Sequence, residues 1–181
     1  AAKGCDTLHV FVLSEDASLV PFAVRKELVR AGTAHIPNVV LHDSGPYIIS
    51  NATFPSYFLK DETAVIEGHA KLDLAIFSKI ARALNVTARY VGEEPTSQVT
   101  GLYNEIMARE LPKAGIACHI LPRLQSQTTP ISASTVRLAL QQGDWQTLKT
   151  LVPPTTYAYF TSSQAAPVVE KIQKAGNVVH Y

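Results

Sequence analysis

Leu8-His9-Val10-Phe11-Val12-Leu13 is an apolar run broken only by His9. A strand with one wet face alternates apolar and polar residues; this stretch does not. It reads as a strand buried on both faces, the kind that parallel sheets contain. Three more short runs read as strands: Asn38-Val39-Val40-Leu41-His42, Val86 to Val91 closed by Gly92, and Gly115-Ile116-Ala117-Cys118-His119-Ile120-Leu121. Helical patterns lie between them. Pro21 suits a first helical turn, Val24, Leu28 and Val29 form a stripe, and Gly32 marks the end. A long helix is expected from about Glu62 to Leu84, with Leu72, Ile76, Ile80 and Leu84 as its apolar stripe. Val99, Leu102, Tyr103 and Ile106 stripe another helix before Pro112. Strands alternating with helices predict βαβ units, right-handed crossovers and an α/β fold.

The remaining chain is less regular. Tyr47 to Lys60 is aromatic-rich, and Arg123 to Thr129 reads as a polar loop. A helix with Val136 and Leu140 inward closes at Gly143, and shorter helical pieces run from Asp144 to Leu151 and from Pro154 to Phe160. Residues 1–160 are read as the body of the domain and 161–181 as a C-terminal helical tail.

A length of 181 residues is enough for one domain with a sizeable core. Sixteen Lys and Arg against fifteen Asp and Glu leave a formal charge of +1, which argues against a nucleic-acid partner. Cys5 and Cys118 are too few and too far apart for a disulfide scaffold or a paired zinc motif; they read as reduced thiols of a cytoplasmic protein. No apolar run approaches the roughly 18 residues of a membrane span, and no secretory signal is read. Ala1 to Asp6 reads like the frayed end of a helix whose beginning is absent.

Ligands of open α/β sheets bind beyond the carboxyl ends of the strands. Three segments are candidates there. In Ile131-Ser132-Ala133-Ser134-Thr135-Val136-Arg137, small hydroxyl residues lead into a helix, and Arg137 follows Ser134 on the same side of the first turn. Hydroxyls, unsatisfied backbone N–H groups and a guanidinium together suit a polyphosphate; a plain capping motif with a surface arginine fits the spacing too. In Val91-Gly92-Glu93-Glu94-Pro95, the glycine admits close backbone approach and a carboxylate can meet a ribose hydroxyl or a metal ion; a solvated acidic turn is the alternative. Arg25, early in the first helix, is either a third anion contact or a surface residue. The six histidines form no metal spacing, and no P-loop, Gly-x-Ser-x-Gly elbow or Gly-x-Gly-x-x-Gly turn is present.

Ile131-Ser132-x-Ser134-x-x-Arg137 resembles the second motif of the cytidylyl- and adenylyltransferase superfamily, commonly Ile-Ser-Ser-Thr-x-x-Arg, with Ala133 in place of a common serine. Tyr47-Ile48-Ile49-Ser50-x-Ala52-Thr53-Phe54-Pro55-x-Tyr57-Phe58 is similar to one family within it, the citrate lyase ligases. So are Val91-Gly92-x-Glu94-Pro95 with Val99-Thr100-x-x-Tyr103-Asn104, and Pro130-Ile131-Ser132-Ala133-Ser134-x-Val136-Arg137. The resemblance spans about residues 3 to 160. It implies a Rossmann-like nucleotidyltransferase fold, with a parallel sheet of four to five strands and helices on both faces. It also implies an AMP-forming acid–thiol ligase. Such an enzyme activates acetate with ATP as acetyl-adenylate, releases pyrophosphate, and acetylates the prosthetic-group thiol of the citrate lyase acyl-carrier subunit. Ser132, Ser134, Thr135 and Arg137 would hold the phosphates, with Ser134 and Arg137 closest to the reacting phosphorus. Gly92 and Glu94 would border the adenosine or its magnesium ion. Arg25 matches, more loosely, an arginine that the superfamily aims at the phosphates. From their strand-end position, Tyr47, Thr53, Tyr57 and Phe58 are read as shaping the acyl or thiol pocket.

One part of the superfamily pattern is missing. Its first motif, a His-x-x-His or Thr-x-x-His turn after the first strand, does not occur in the 181 residues. The expectation is therefore a C-terminal fragment that lacks the first strand and is inactive alone. Two other readings stay open: another adenylyltransferase, of the phosphopantetheine or nicotinamide mononucleotide type, and a non-catalytic nucleotide-binding module.

Overall fold

A computed structural model describes residues 1–57, 63–94, 97–126, 129–176 and 178. In chain order the elements are β1 (Leu8–Val12), α1 (Phe22–Thr33), β2 (Val39–Asp43), α2 (Thr63–Ala83), β3 (Ala88–Gly92), α3 (Gln98–Glu110), β4 (Ala117–Leu121), β5 (Gln125–Ser126), β6 (Thr129–Pro130), α4 (Ala133–Gln142), α5 (Trp145–Leu151), α6 (Pro154–Phe160) and α7 (Ala166–Lys174). The protein is α/β, and the four apolar runs of the sequence become β1 to β4. β3 and β4 are parallel, with Ala88 opposite Ala117 and Gly92 opposite Leu121.

The expected sheet of four to five strands is not continuous. Among the described residues each sheet has two strands: β1 with β2, β3 with β4, and β5 with β6. The third pair is an antiparallel ribbon that overlaps the stretch expected to be a loop and ends at Pro130. Ile120 and Leu121, at the end of β4, are exposed. Hydrophobic runs report local strand preference; how many neighbours a strand finds is decided by distant segments.

The chain divides into two compact units, one of Ala1–Val12, Asp16–His42 and Leu124–Tyr181, the other of Leu13–Glu15 and Asp43–Arg123. In the first unit α1 packs on β1. α4 packs on α5 and α7, and α1 on α6. Leu140, Leu148, Phe160, Ala165 and Ile172 form the centre of its core, so the segment 161–181 contributes buried side chains through α7. Gly143 stops α4 in the left-handed region, φ 67°, where its N–H returns to the Ala139 and Leu140 carbonyls.

In the second unit α2 and α3 pack together, and α3 also contacts β4. The buried face of α2 is Ile66, Ala70, Asp73, Leu74, Phe77 and Ala81. The expected stripe through Leu72 is displaced: Leu72 is 49% exposed. An aspartate and two alanines sit on the true inner face, so it looks less apolar in sequence than its flank. The segment 44–57 before α2 is held by turns, with Thr53 and Phe54 N–H groups bonded to the Ser50 carbonyl. Ile49 within it has φ 47° and is buried. A β-branched residue in the left-handed region costs on the order of 1–3 kcal/mol, and persists only where its surroundings fix it.

Candidate functional site

The start of α4 is built by its own side chains. Ser132, with extended backbone, accepts the Thr135 N–H on its Oγ at 3.1 Å, while the Ser132 N–H donates to Thr135 Oγ1 at 3.0 Å. This is a capping box in which threonine takes the place of the usual Glu or Gln. Ser134 Oγ lies 2.8 Å from Ser132 Oγ. Three of the residues expected at a phosphate site, Ser132, Ser134 and Thr135, therefore form one hydroxyl cluster at a helix N-terminus. The Ala133 and Ser134 N–H groups stand in a first turn, where the helix offers them no acceptor. This end of the dipole favours an anion.

Arg137, one turn on, is only 9% exposed, and its Nε donates to the Val178 carbonyl at 2.5 Å. Burial lowers its pKa, yet a guanidinium keeps its charge at neutral pH. The fourth expected phosphate residue is thus also a tie to the C-terminal segment, which spacing alone does not reveal. Arg25 belongs to the same unit. Its Nε donates to the Val20 carbonyl at 3.1 Å, its Nη2 lies 3.5 Å from Asp16, and it covers the Phe22 ring.

Gly92 and Glu94 are in the second unit. Gly92 ends β3, and a Cβ built on it would meet no atom within 4 Å. Its carbonyl accepts from Asn104 Nδ2 at 2.9 Å. Glu94 accepts the Ser97 N–H at 3.1 Å and pairs with Arg123, whose Nε also donates to the Glu93 carbonyl at 2.7 Å. Arg123, unremarked in the sequence, thus joins the Glu94 carboxylate expected to meet a ribose or a metal. Among the described residues no group of three His, Cys, Asp or Glu could hold a metal ion. With Glu94 engaged by Arg123, the donor set does not fit a magnesium ion held by protein carboxylates.

Of the four residues assigned to an acyl or thiol pocket, the three described differ in exposure and partners. Tyr47 is 59% exposed. Tyr57 sets its ring edge against Phe54, centroids 5.6 Å apart. Thr53 is 3% exposed, and its hydroxyl donates to Asp73 Oδ1 at 2.8 Å, so it fastens the loop from inside. Phe58 lies outside the described residues. Asp73 itself is 0% exposed. It also accepts the Ile49 N–H at 2.6 Å and the Tyr103 hydroxyl at 2.5 Å. Burial, and secondarily the Asp73 carboxylate beside it, raise the Tyr103 pKa, so the phenol stays a neutral donor. Arg89 stacks on Phe77 at 4.2 Å and reaches the Tyr103 hydroxyl at 3.4 Å. The signal for this network was an aspartate in register with the inner face of α2, one turn before Phe77. His9, inside the apolar run of β1, is half-buried with its Nδ1 2.8 Å from His42 Nε2.

The family model for the citrate lyase ligase C-terminal domain matches residues 1–160. The [citrate [pro-3S]-lyase] ligase of Klebsiella pneumoniae is 42% identical over 164 residues, 88% of this chain and 48% of that protein. Those of Escherichia coli K12 and Haemophilus influenzae are 42% and 40% identical over 165 residues, covering 47% and 49% of their lengths. The chain spans about half the length of these relatives. No solved structure matches it. Matched by the C-terminal-domain model from its first residue to Phe160, and at 40–42% identity by three ligases, this chain belongs to the citrate lyase ligase family.

Proposed function

We propose that this chain is the adenylyl-transferring part of a citrate lyase ligase. In this reading an oxygen of acetate attacks the α-phosphorus of ATP, the bond to the β-phosphate breaks, and pyrophosphate leaves. The thiol of the prosthetic group on the citrate lyase acyl-carrier subunit then attacks the acetyl carbonyl, and AMP leaves. The observation that carries this is the Ser132–Arg137 helix start, in a chain of this family. Attack on an α-phosphorus needs positioning and charge neutralisation more than a protein nucleophile.

The Ala133 and Ser134 N–H groups and the Ser134 hydroxyl take phosphate oxygens, and Arg137 and Arg25 supply positive charge. Ser132 and Thr135 hold the turn in shape through the capping box. A magnesium ion carried on the nucleotide would share the charge neutralisation. Within the second unit, a Cβ on Gly92 would meet no atom within 4 Å, and Glu94 works through its pairing with Arg123. Tyr47 and Tyr57 face the acyl or thiol group, on the loop that Thr53 fastens. The full-length protein is expected to act in the cytoplasm, with ATP, acetate and the acyl-carrier subunit as its partners.

The test is calorimetry with a non-hydrolysable ATP analogue, paired with pyrophosphate release from ATP and acetate by the full-length protein. Ser134→Ala should weaken nucleotide binding and slow release. Unchanged binding and release would remove the α4 start from the site. Pyrophosphate release with phosphopantetheine or nicotinamide mononucleotide instead of acetate would replace this reading by a plain nucleotidyltransferase.

A further inference from the structure

Asp73 is completely buried, a position where a carboxylate is retained only with its hydrogen bonds made. It has three donors from two separate segments: the Ile49 N–H at 2.6 Å and the Thr53 hydroxyl at 2.8 Å, and the Tyr103 hydroxyl of α3 at 2.5 Å. Two of the three belong to the loop 44–57, and one of these is the N–H of its strained residue, Ile49, φ 47°. Left-handed backbone at a buried β-branched residue does not hold itself; here the bond from the Ile49 N–H to Asp73 holds it. The third donor comes from α3. Its next residue, Asn104, donates to the Gly92 carbonyl at 2.9 Å. Consecutive side chains of one helix thus brace the loop, through Asp73, and the end of β3. A core that needed only stability would be served by an apolar residue at position 73, so a fully partnered carboxylate there points to a fixed loop geometry.

We propose that Asp73 is a positioning residue that sets the loop 44–57 in the shape from which Tyr47 and Tyr57 meet the acyl substrate. This rests on the reading of that loop as the acyl pocket. Asp73 touches no substrate in this account. It acts through the Ile49 N–H and Thr53, and Tyr103 locks its second oxygen.

The experiment measures KM for acetate, KM for ATP, kcat and thermal midpoint in the full-length protein, for Asp73→Asn, Tyr103→Phe, Tyr47→Ala and Tyr57→Ala. Tyr103→Phe keeps the ring in the core and removes one donor, so it decides the matter even where Asp73→Asn fails to fold. The expected result is an acetate KM raised about tenfold or more by Asp73→Asn and several-fold by Tyr103→Phe, with the ATP KM within about twofold. A lower thermal midpoint with an unchanged acetate KM in Tyr103→Phe would reduce the network to a structural one and overturn the proposal. If Tyr47→Ala and Tyr57→Ala raise the acetate KM in that case, the loop reading survives without the positioning claim. If they too leave it unchanged, the loop is not the acyl pocket.

Discussion

Ser132 and Ser134 sit two residues apart in one hydroxyl cluster but have different duties. Ser132 Oγ accepts the Thr135 N–H and is half of the capping box; Ser134 Oγ is bonded to Ser132 Oγ. Removing the cap, Ser132→Ala, should therefore cost about 1 kcal/mol of stability, read as a lower midpoint in urea. Ser134→Ala should leave the midpoint nearly unchanged and show its effect in nucleotide affinity. Equal stability losses in the two variants would refute the division of labour. Arg137 combines both duties. Its burial and its bond to the Val178 carbonyl predict that Arg137→Ala loses stability as well as affinity. The affinity loss should be about 1.5–3 kcal/mol, as for a charge-assisted hydrogen bond. Calorimetry at a temperature where the variant is folded separates the two. A helix start with two serines and a threonine is legible because its signal is local. The partner of Arg137 was not legible, since Val178 is 41 residues away.

At the scale of elements, caps again show what a short stretch of sequence can and cannot specify. Asp144 caps α5: its Oδ1 accepts the Thr147 N–H at 3.0 Å and its Oδ2 the Thr147 hydroxyl at 2.6 Å. These bonds, the hydroxyl first, hold the carboxyl below its ordinary pKa. A carboxyl depressed in the folded state contributes stability above its unfolded pKa, and that contribution is lost as pH falls through the folded one. Asp144→Asn keeps a capping oxygen without the charge. The stability gap between the parent and this variant should be full near neutrality and close as pH drops below the carboxylate range, about 4. Thermal midpoints of both proteins across that range check it; a gap constant with pH would show that the charge contributes nothing. The strands and helices were legible in outline because their periods are local. α2 was misread by face for a physical reason. Apolar counting favours Leu72 and Ile76 and passes over Asp73, which can lie inside only because Ile49, Thr53 and Tyr103 come from elsewhere to satisfy it. Partners that distant leave no mark at the spacing of a helix.

For the whole molecule, the readable quantities were composition, the alternation of elements and the family; the pairing of strands was not. Each of β1 to β4 keeps its expected place in the chain, yet among the described residues they form separate pairs. None of the described helices is long and apolar enough to cross a membrane. The last prediction concerns what these 181 residues do alone. The α4 start offers N–H groups, hydroxyls and a guanidinium, enough for an anion to bind. These residues should therefore bind an ATP analogue measurably. Binding should weaken in Ser134→Ala, which ties the residual affinity to the α4 start. An affinity unchanged in Ser134→Ala would place the analogue away from the α4 start.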